Sequence, residues 1–237
     1  MERNYTEKYK VPDVPEGEVG KWKIKKFEVK KTDMWKQMTS MMDSGRYVPE
    51  GWYTGLFRKS SNFNDTWEVI MSDTPDELWD MVDPIREATG RVLIAGLGLG
   101  VVLNGVLMNP AVTHVDVIEL SEDVLALVKT HYEQKYPGKI TFIQANILEW
   151  IPPKDAHWNY AWFDIWDGLC TDNLPEMGML HRRYCKKADV RGSWGRELLQ
   201  SRRRQERAQE KMYEMFRPAN RYKDIDKLSE ALDGVKL

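Results

Sequence analysis

Two groups of residues in this sequence have types and spacing that could support chemistry. The first is Gly96-x-Gly98-x-Gly100, which lies between the apolar run Arg91–Ala95 and a second apolar segment. Glycines permit a tight strand-to-helix turn and let a ligand approach the backbone closely. Glu119 ends the next strand-like run, and a carboxylate there can accept two hydrogen bonds from a ribose diol. This order of features predicts a site for a nucleoside-containing cofactor.

The glycine pattern excludes two common nucleotide motifs. The dinucleotide fingerprint Gly-x-Gly-x-x-Gly fails because Val101 or Leu103 occupies the third position in the two available frames. The phosphate loop Gly-x4-Gly-Lys-Ser/Thr is absent from the sequence. The remaining pattern resembles the S-adenosylmethionine site of class I methyltransferases and aminopropyltransferases. The alternative interpretation is a glycine-rich turn in another α/β fold.

The second group is Asp164-Ile165-Trp166-Asp167, which follows a short aromatic strand. Two carboxylates so spaced at a strand end could point into one site, where one takes a proton from an attacking amine and the other holds a cation. Trp166 could line the pocket or stack on a cation. The alternative is that both aspartates only shape the loop. Asn146 is similarly open to two interpretations, as a contact to an adenine edge or as the cap of a helix starting at Ile147.

Alternating strands and helices position these groups. Strands are predicted at Arg91–Ala95, before Glu119, at Ile140–Ala145 and at Tyr160–Phe163, and Ser121 caps the helix between the second and third. This alternation predicts a doubly wound, mostly parallel sheet. Ligands of such sheets lie beyond the C-terminal ends of the strands, where both groups of residues fall.

The flanking segments have different patterns. Residues 1 to about 20 are predicted as an extended arm and Gly20–Val29 as a half-exposed strand, followed by a methionine-rich helix over Met34–Met42. Trp52–Arg58 and Thr66–Met71 are predicted as a hairpin.

Thr74 and Glu77 are expected to form a capping box for the next helix, with a break at Pro84. After Asp172 the sequence predicts a helix over Pro175–Tyr184, a weak strand in Ala188–Trp194 and an arginine-rich helix. That last helix is either a solvated, ion-paired helix or a basic surface for a partner. A short terminal helix is predicted around Ile225–Leu232.

Composition narrows the classes of function. The 237 residues carry a formal net charge of -2, which gives no general electrostatic case for binding nucleic acid or a membrane surface. The two cysteines and four scattered histidines have no metal-ligand spacing, so no metal is predicted. The first residues contain no apolar export segment, and no long apolar run follows. A cytoplasmic protein is therefore expected.

The run from Trp67 to about Tyr184 resembles spermidine synthase and its methyltransferase-fold relatives. It carries an Asp-Glu-bearing helix start at Asp73 to Glu77, the glycine loop, Glu119, Asn146 and Asp164-x-x-Asp167. The sequence departs from that family where Asn146 replaces an Asp and Gly168 replaces a Pro. It also shows fewer strands after Ala188 than that family has.

The resemblance implies a set of site residues. Asp164 and Asp167 would be catalytic, with Asp164 as base and Asp167 holding a polyamine, and Asp73 and Trp166 would bind substrate. The residues expected at the cofactor are Ala95, Gly96, Gly98, Gly100, Glu119, Leu120, Asn146, Ile147 and Asp164.

The sequence as a whole predicts a class I methyltransferase-like α/β fold, whose doubly wound, mostly parallel sheet is truncated at its C-terminal strands. The expected divisions are 1–72, an arm with a small β-rich segment; 73–190, an S-adenosylmethionine-binding domain; and 191–237, a polar helical tail. The expected function is methyl transfer from S-adenosylmethionine to a small amine-bearing substrate. Aminopropyl transfer from decarboxylated S-adenosylmethionine and a non-catalytic nucleoside-binding or assembly protein are the alternatives. A homo-oligomer through the N-terminal segment or the C-terminal helix is also expected.

Overall fold

The computed structural model describes residues 7–30, 48–60 and 66–216. The chain divides into two compact units, Met1–Arg196 and Glu197–Leu237. The helices expected over Met34–Met42 and around Ile225–Leu232 lie outside the described residues. The three sequence divisions at 72/73 and 190/191 stay predictions.

An antiparallel sheet opens the first unit. Its strands β1 (Gly17–Val19), β2 (Trp22–Val29), β3 (Gly51–Lys59) and β4 (Trp67–Ser72) pair in chain order. The predicted half-exposed strand and the predicted hairpin are both confirmed. The expectation of a plain extended arm up to residue 20 was wrong at β1, which pairs with β2 through Gly17 and Ile24.

The second sheet has five strands: β5 (Gly90–Ala95), β6 (Val112–Glu119), β7 (Ile140–Gln144), β8 (Trp158–Phe163) and β9 (Ala188–Ser193). Their spatial order is β7-β6-β5-β8-β9, and all four pairings are parallel. Starting from the central strand β5, the chain adds β6 and β7 on one side of the sheet and then crosses over to add β8 and β9 on the other side. This reversal creates a crevice at the C-terminal end of β5, which is where doubly wound folds bind ligands.

The sheet is buried on both faces, as parallel sheets usually are. In β5, Val92 and Ile94 belong to one apolar cluster, and Leu93 and Ala95 belong to the other. Helices α3 (Val101–Leu107) and α4 (Glu122–Lys135) contribute to the first cluster, and α5 (Leu174–Arg183) contributes to the second. The doubly wound fold predicted from sequence is confirmed.

Two short helices, α1 (Pro75–Asp80) and α2 (Val82–Glu87), connect the two sheets. The predicted capping box was wrong, because Thr74 makes no side-chain cap bond and Glu77 instead accepts from Ser72. The predicted break at Pro84 was also wrong. The break falls at Met81, and Pro84 lies in the first turn of α2, where a missing N–H costs no helical hydrogen bond.

The remaining elements follow the predicted order. Ser121 caps α4 by accepting from the Val124 N–H at 3.3 Å, as expected. The weak strand expected after Ala188 is β9, an edge strand parallel to β8. Helix α6 (Arg196–Phe216) carries an Arg203–Glu206 ion pair at 3.7 Å between exposed side chains. No helix among the described residues is long and apolar enough to cross a membrane.

Candidate functional site

The glycine loop begins where β5 ends. Gly96 and Gly98 have φ values of 92° and 51°, in the left-handed region that favours glycine. A Cβ on Gly96 would collide with the carbonyl oxygen of Asp164. The loop therefore requires glycine both for its conformation and for its close packing against the end of β8.

Glu119, at the end of β6, is hydrogen-bonded to the loop. Its Oε2 accepts from the Leu97 N–H at 2.8 Å, and its Oε1 accepts from the Ser121 N–H at 2.8 Å. Burial raises the pKa of this carboxyl above its usual value. Each carboxylate oxygen has a second lone pair, so Glu119 can still accept from two ligand hydroxyls.

Asn146 follows β7 in a turn. The alternative interpretation of Asn146, as the cap of a helix starting at Ile147, is wrong, because residues 147–149 form a turn rather than a helix. The Asn146 Oδ1 accepts from the Leu148 N–H at 3.0 Å, which is the hydrogen bond of an Asx turn. This geometry makes Asn146 both a turn-forming residue and a residue that lines the cavity described below.

Asp164 lies at the end of β8 and lines the same cavity. Its carboxylate makes no hydrogen bond or ion pair with the residues that the structure describes. Burial, followed by the nearby charges of Glu77 and Asp80, raises the pKa of Asp164 to about 7. A carboxyl with this pKa can exchange a proton near neutral pH.

Glu77 is the site residue that sequence reasoning missed. It lines the cavity from α1, and its Oε2 and Oε1 accept from the Ser72 N–H at 2.7 Å and the Ser72 hydroxyl at 2.6 Å. Burial, followed by Asp76 and Asp80, raises the pKa of Glu77 to about 7. The signal is the acidic run Asp76-Glu77 at a helix start, which fits both a capping box and the Asp73-to-Glu77 match to the family's Asp-Glu helix.

Asp167 and Trp166 also line the cavity, but each has a protein partner. The Asp167 carboxylate pairs with the Arg58 guanidinium of β3 at 2.7 Å. The Trp166 Nε1 donates to the Glu176 carboxylate at 2.8 Å. The two aspartates of the motif therefore have different environments, because Asp167 is neutralised by an arginine and Asp164 is not.

Asp73 is placed away from this group. It is 1% exposed and does not line the cavity. Its Oδ1 accepts from the Thr54 N–H at 2.6 Å and its Oδ2 from the Val11 N–H at 3.0 Å. These bonds join three segments of the chain and suit a structural role.

One cavity of about 710 Å³ connects these features, a size typical of small-molecule sites. Of the predicted residues, those that line it are Gly96, Gly98, Glu119, Leu120, Asn146, Ile147, Asp164, Trp166 and Asp167, whereas Ala95, Gly100 and Asp73 do not. The antiparallel sheet supplies a wall that the sequence did not indicate, formed by Lys21, Trp22, Leu56, Arg58, Ile70 and Met71.

The lining of the cavity is acidic. Its carboxylates are Glu77, Glu119, Asp164, Asp167 and Glu176, and its cations are Lys21 and Arg58. Because Arg58 is paired with Asp167, the excess negative charge favours a cationic ligand. Among the described residues, no group of three or more acidic, histidine or cysteine side chains is arranged to hold a metal ion.

Comparisons with known proteins found solved structures that resemble parts of this chain, but no protein family that matches its sequence. No family model and no curated protein matches the chain. Among solved structures, TrmN from Thermus thermophilus is 18% identical with a TM-score of 0.41 over 54% of this chain and 40% of its own. TrmK from M. capricolum, solved with S-adenosyl-homocysteine, is 14% identical with a TM-score of 0.38 over 46% and 47%.

A putative RNA methyltransferase from Pyrococcus horikoshii is 14% identical with a TM-score of 0.38 over 50% and 58%. The chain thus spans between 40% and 58% of the length of these three proteins. The strand order of the parallel sheet and the glycine loop after its central strand show that this chain has the class I methyltransferase-like fold.

Proposed function

We propose that this protein is an S-adenosylmethionine-dependent transferase that methylates a small amine-bearing substrate. The observation that carries the proposal is that one cavity joins the glycine loop and Glu119 to the half-buried carboxyls of Glu77 and Asp164. The glycine loop and Glu119 suit a nucleoside, and the carboxyls of Glu77 and Asp164 suit a cation.

The cofactor half of the cavity fits an adenosine group. Glu119 has lone pairs for the ribose hydroxyls, and the Nδ2 of Asn146 can donate to an adenine ring nitrogen because its Oδ1 already forms the turn. Leu120, 66% exposed at the cavity, and the buried Ile147 provide apolar surfaces for the ring. When bound, S-adenosylmethionine supplies an activated methyl group on a sulfonium cation.

The acceptor half would bind and deprotonate an amine. Glu77 and Asp164 attract an ammonium group, and Trp166 and Trp194 limit its position in the cavity. Because its pKa is about 7, the ionised Asp164 carboxylate can take a proton from the ammonium near neutral pH, which frees the nitrogen lone pair. The nitrogen would then bond to the methyl carbon as the methyl–sulfur bond breaks, and the sulfonium would leave as a neutral thioether. Orientation of the two reactants would contribute most of the acceleration.

One observation favours aminopropyl transfer as the second candidate. The excess of carboxylates around the cavity would repel the α-carboxylate of intact S-adenosylmethionine more than a donor that lacks it. This candidate predicts a preference for the decarboxylated donor and for a diamine acceptor. A non-catalytic nucleoside-binding or assembly protein is the third candidate, and it predicts binding without turnover, or a stable oligomer.

Calorimetric titration separates these candidates. S-adenosylmethionine, its decarboxylated form and methylthioadenosine are titrated into the wild type and into Glu119→Ala. Micromolar binding of the intact cofactor that is lost in the variant supports the proposed cofactor site, and tighter binding of the decarboxylated form supports aminopropyl transfer. If none of the three ligands binds, the transferase proposal is overturned.

Turnover is then measured with methyl-labelled cofactor and a panel of small amines. The variant Asp164→Asn is expected to bind the cofactor like the wild type but to lose most of the methyl transfer. Equal turnover in the wild type and in Asp164→Asn would show that Asp164 is not the base of the reaction.

A further inference from the structure

Helix α5 contacts both ends of the cavity wall. In its first turn, Glu176 accepts from the Trp166 indole N–H at 2.8 Å, beside the carboxylates at the end of β8. In its last turn, Arg183 contacts the turn that follows β7. One helix therefore connects the acceptor side of the cavity to the side proposed to bind the nucleoside.

Arg183 binds two successive backbone carbonyl groups of that turn. Its Nη1 donates to the Ile147 oxygen at 3.1 Å and to the Leu148 oxygen at 2.6 Å. Its Nη2 lies 3.7 Å from the Met179 sulfur, one turn earlier in α5. The planar guanidinium holds its donors in a fixed geometry, so the two bonds fix the direction of both carbonyl groups.

Apolar packing and further hydrogen bonds also hold the turn, since Ile147 is buried in the apolar cluster that contains Leu180 of α5. The turn is attached to β6 by the Ala145 N–H, which donates to the Glu119 oxygen at 3.0 Å. Inside the turn, Asn146 accepts from the Leu148 N–H through its side chain and from the Trp150 N–H through its backbone oxygen, at 3.0 and 2.7 Å. These bonds join the turn to β6 and to itself, whereas the Arg183 bonds join it to the helix on the other side.

We propose that Arg183 is a positioning residue that holds the 146–148 turn in the conformation needed to bind the adenine ring. This inference rests on the proposed function. Asn146, Ile147 and Leu148 line the cavity, but Arg183 does not. Arg183 acts through the backbone of the turn and has no contact of its own with the ligand.

The test compares Arg183→Met, Arg183→Lys and the control Arg182→Met. Arg182 is an exposed neighbour on the same helix, and the control removes the same charge from it. Hydrogen exchange of the Leu148, Glu149 and Trp150 amides is measured without ligand, and methylthioadenosine binding is measured by calorimetry. Methylthioadenosine is the probe because it carries the adenosine group without the amino-acid end of the cofactor.

In Arg183→Met we expect the three amides to exchange about tenfold faster and methylthioadenosine to bind about three- to tenfold more weakly, as the loss of one or two modest hydrogen bonds implies. The lysine variant should recover part of both losses, because one ammonium can replace one of the two bonds. The control should match the wild type in exchange and affinity.

The outcomes separate this inference from the proposed function. If the wild type binds no adenosine compound, the proposed function fails, and the exchange data still show whether Arg183 holds the turn. If the wild type binds methylthioadenosine and Arg183→Met binds it equally well, the inference is overturned. Equal exchange rates in Arg183→Met and Arg182→Met would also overturn it.

Discussion

The carbonyl oxygen of Asp164 occupies the space that a side chain on Gly96 would need. This contact joins the ends of the adjacent parallel strands β5 and β8, so the glycine loop and the proposed base have a fixed relative position. A residue larger than glycine at position 96 would have to displace either the glycine loop or the Asp164 carbonyl group.

We predict that Gly96→Ala abolishes cofactor binding and destabilises the protein. The added methyl group would combine positive-φ strain of about 1–2 kcal/mol with the collision at Asp164. Gly138→Ala is the matched control, because Gly138 also has a positive φ of 74° but nothing lies within 4 Å of its added Cβ. The two variants are compared by Tm and by calorimetry. If Gly96→Ala and Gly138→Ala behaved alike, the contact with Asp164 would not constrain the loop.

The dependence of the unfolding free energy on pH should reflect the titration of the half-buried Asp164 carboxyl. Its pKa of about 7 is raised above the usual 3.8 of an aspartate, so the folded state holds a proton that the unfolded chain has already released. The stabilisation is therefore complete below about pH 4 and is lost as pH rises to 7 and above.

Asp164→Asn should remove this loss, because the amide is neutral at every pH. We expect the variant to match the wild type near pH 4 and to be more stable at pH 8 by about 1–2 kcal/mol, allowing for the partial exposure of the side chain. Urea unfolding at both pH values measures the difference. A variant that is less stable than the wild type at pH 8 would show that Asp164 makes a stabilising interaction when charged.

Asp73 should contribute to the stability of the folded protein and not to substrate binding. Asp73→Ala leaves the buried Val11 and Thr54 N–H groups without acceptors, and each such group costs about 1–3 kcal/mol. We expect a loss of about 2–5 kcal/mol in unfolding free energy, with unchanged ligand affinity at a temperature where the variant is folded. A large rise in the substrate KM without loss of stability would instead support the substrate-binding role expected from sequence.

The Arg58–Asp167 ion pair should affect acceptor binding more than stability. Both side chains line the cavity, and the exposed Asp167 limits the energy of the pair to about 0.2–1 kcal/mol. We expect both Arg58→Met and Asp167→Asn to change Tm by less than about 3 °C. Asp167→Asn should raise the KM of a cationic acceptor because it removes negative charge from the cavity, whereas Arg58→Met should lower it because it leaves the Asp167 carboxylate unpaired. A double-mutant cycle on KM measures their coupling, and strictly additive effects would show that the two side chains act independently.

Much of the parallel sheet was predictable from sequence because its signals are local. The apolar run Arg91–Ala95, the glycine loop and the Ser121 cap each fix backbone conformation within a few residues. The same locality explains the placement of Glu119, since the end of a parallel strand faces the crevice whatever surrounds it.

The acceptor side could not be predicted in this way. Glu77 and the cavity-lining Trp22, Arg58 and Met71 come from elements far from Asp164 in sequence, and tertiary packing alone brings them together. Glu77 also fits a capping-box pattern, but its carboxylate accepts instead from the N–H and hydroxyl of Ser72, five residues earlier in the chain. Asp73 and Asp164 are the same residue type, and only the folded structure shows that Asp73 binds backbone N–H groups whereas Asp164 lines the cavity.

The antiparallel sheet carries one further consequence. Its residues line the cavity beside the parallel sheet that forms the proposed cofactor half, and Met71 of β4 reaches the glycine loop, where its sulfur accepts from the Leu99 N–H at 3.4 Å. The proposed acceptor half therefore draws on both sheets, because Asp164 and Trp166 follow β8 whereas Trp22, Leu56 and Arg58 lie in β2 and β3. We expect substitutions at Trp22, Leu56 and Arg58 to change which amine is accepted more than they change donor affinity, which makes β2 and β3 the place to begin directed evolution of acceptor choice.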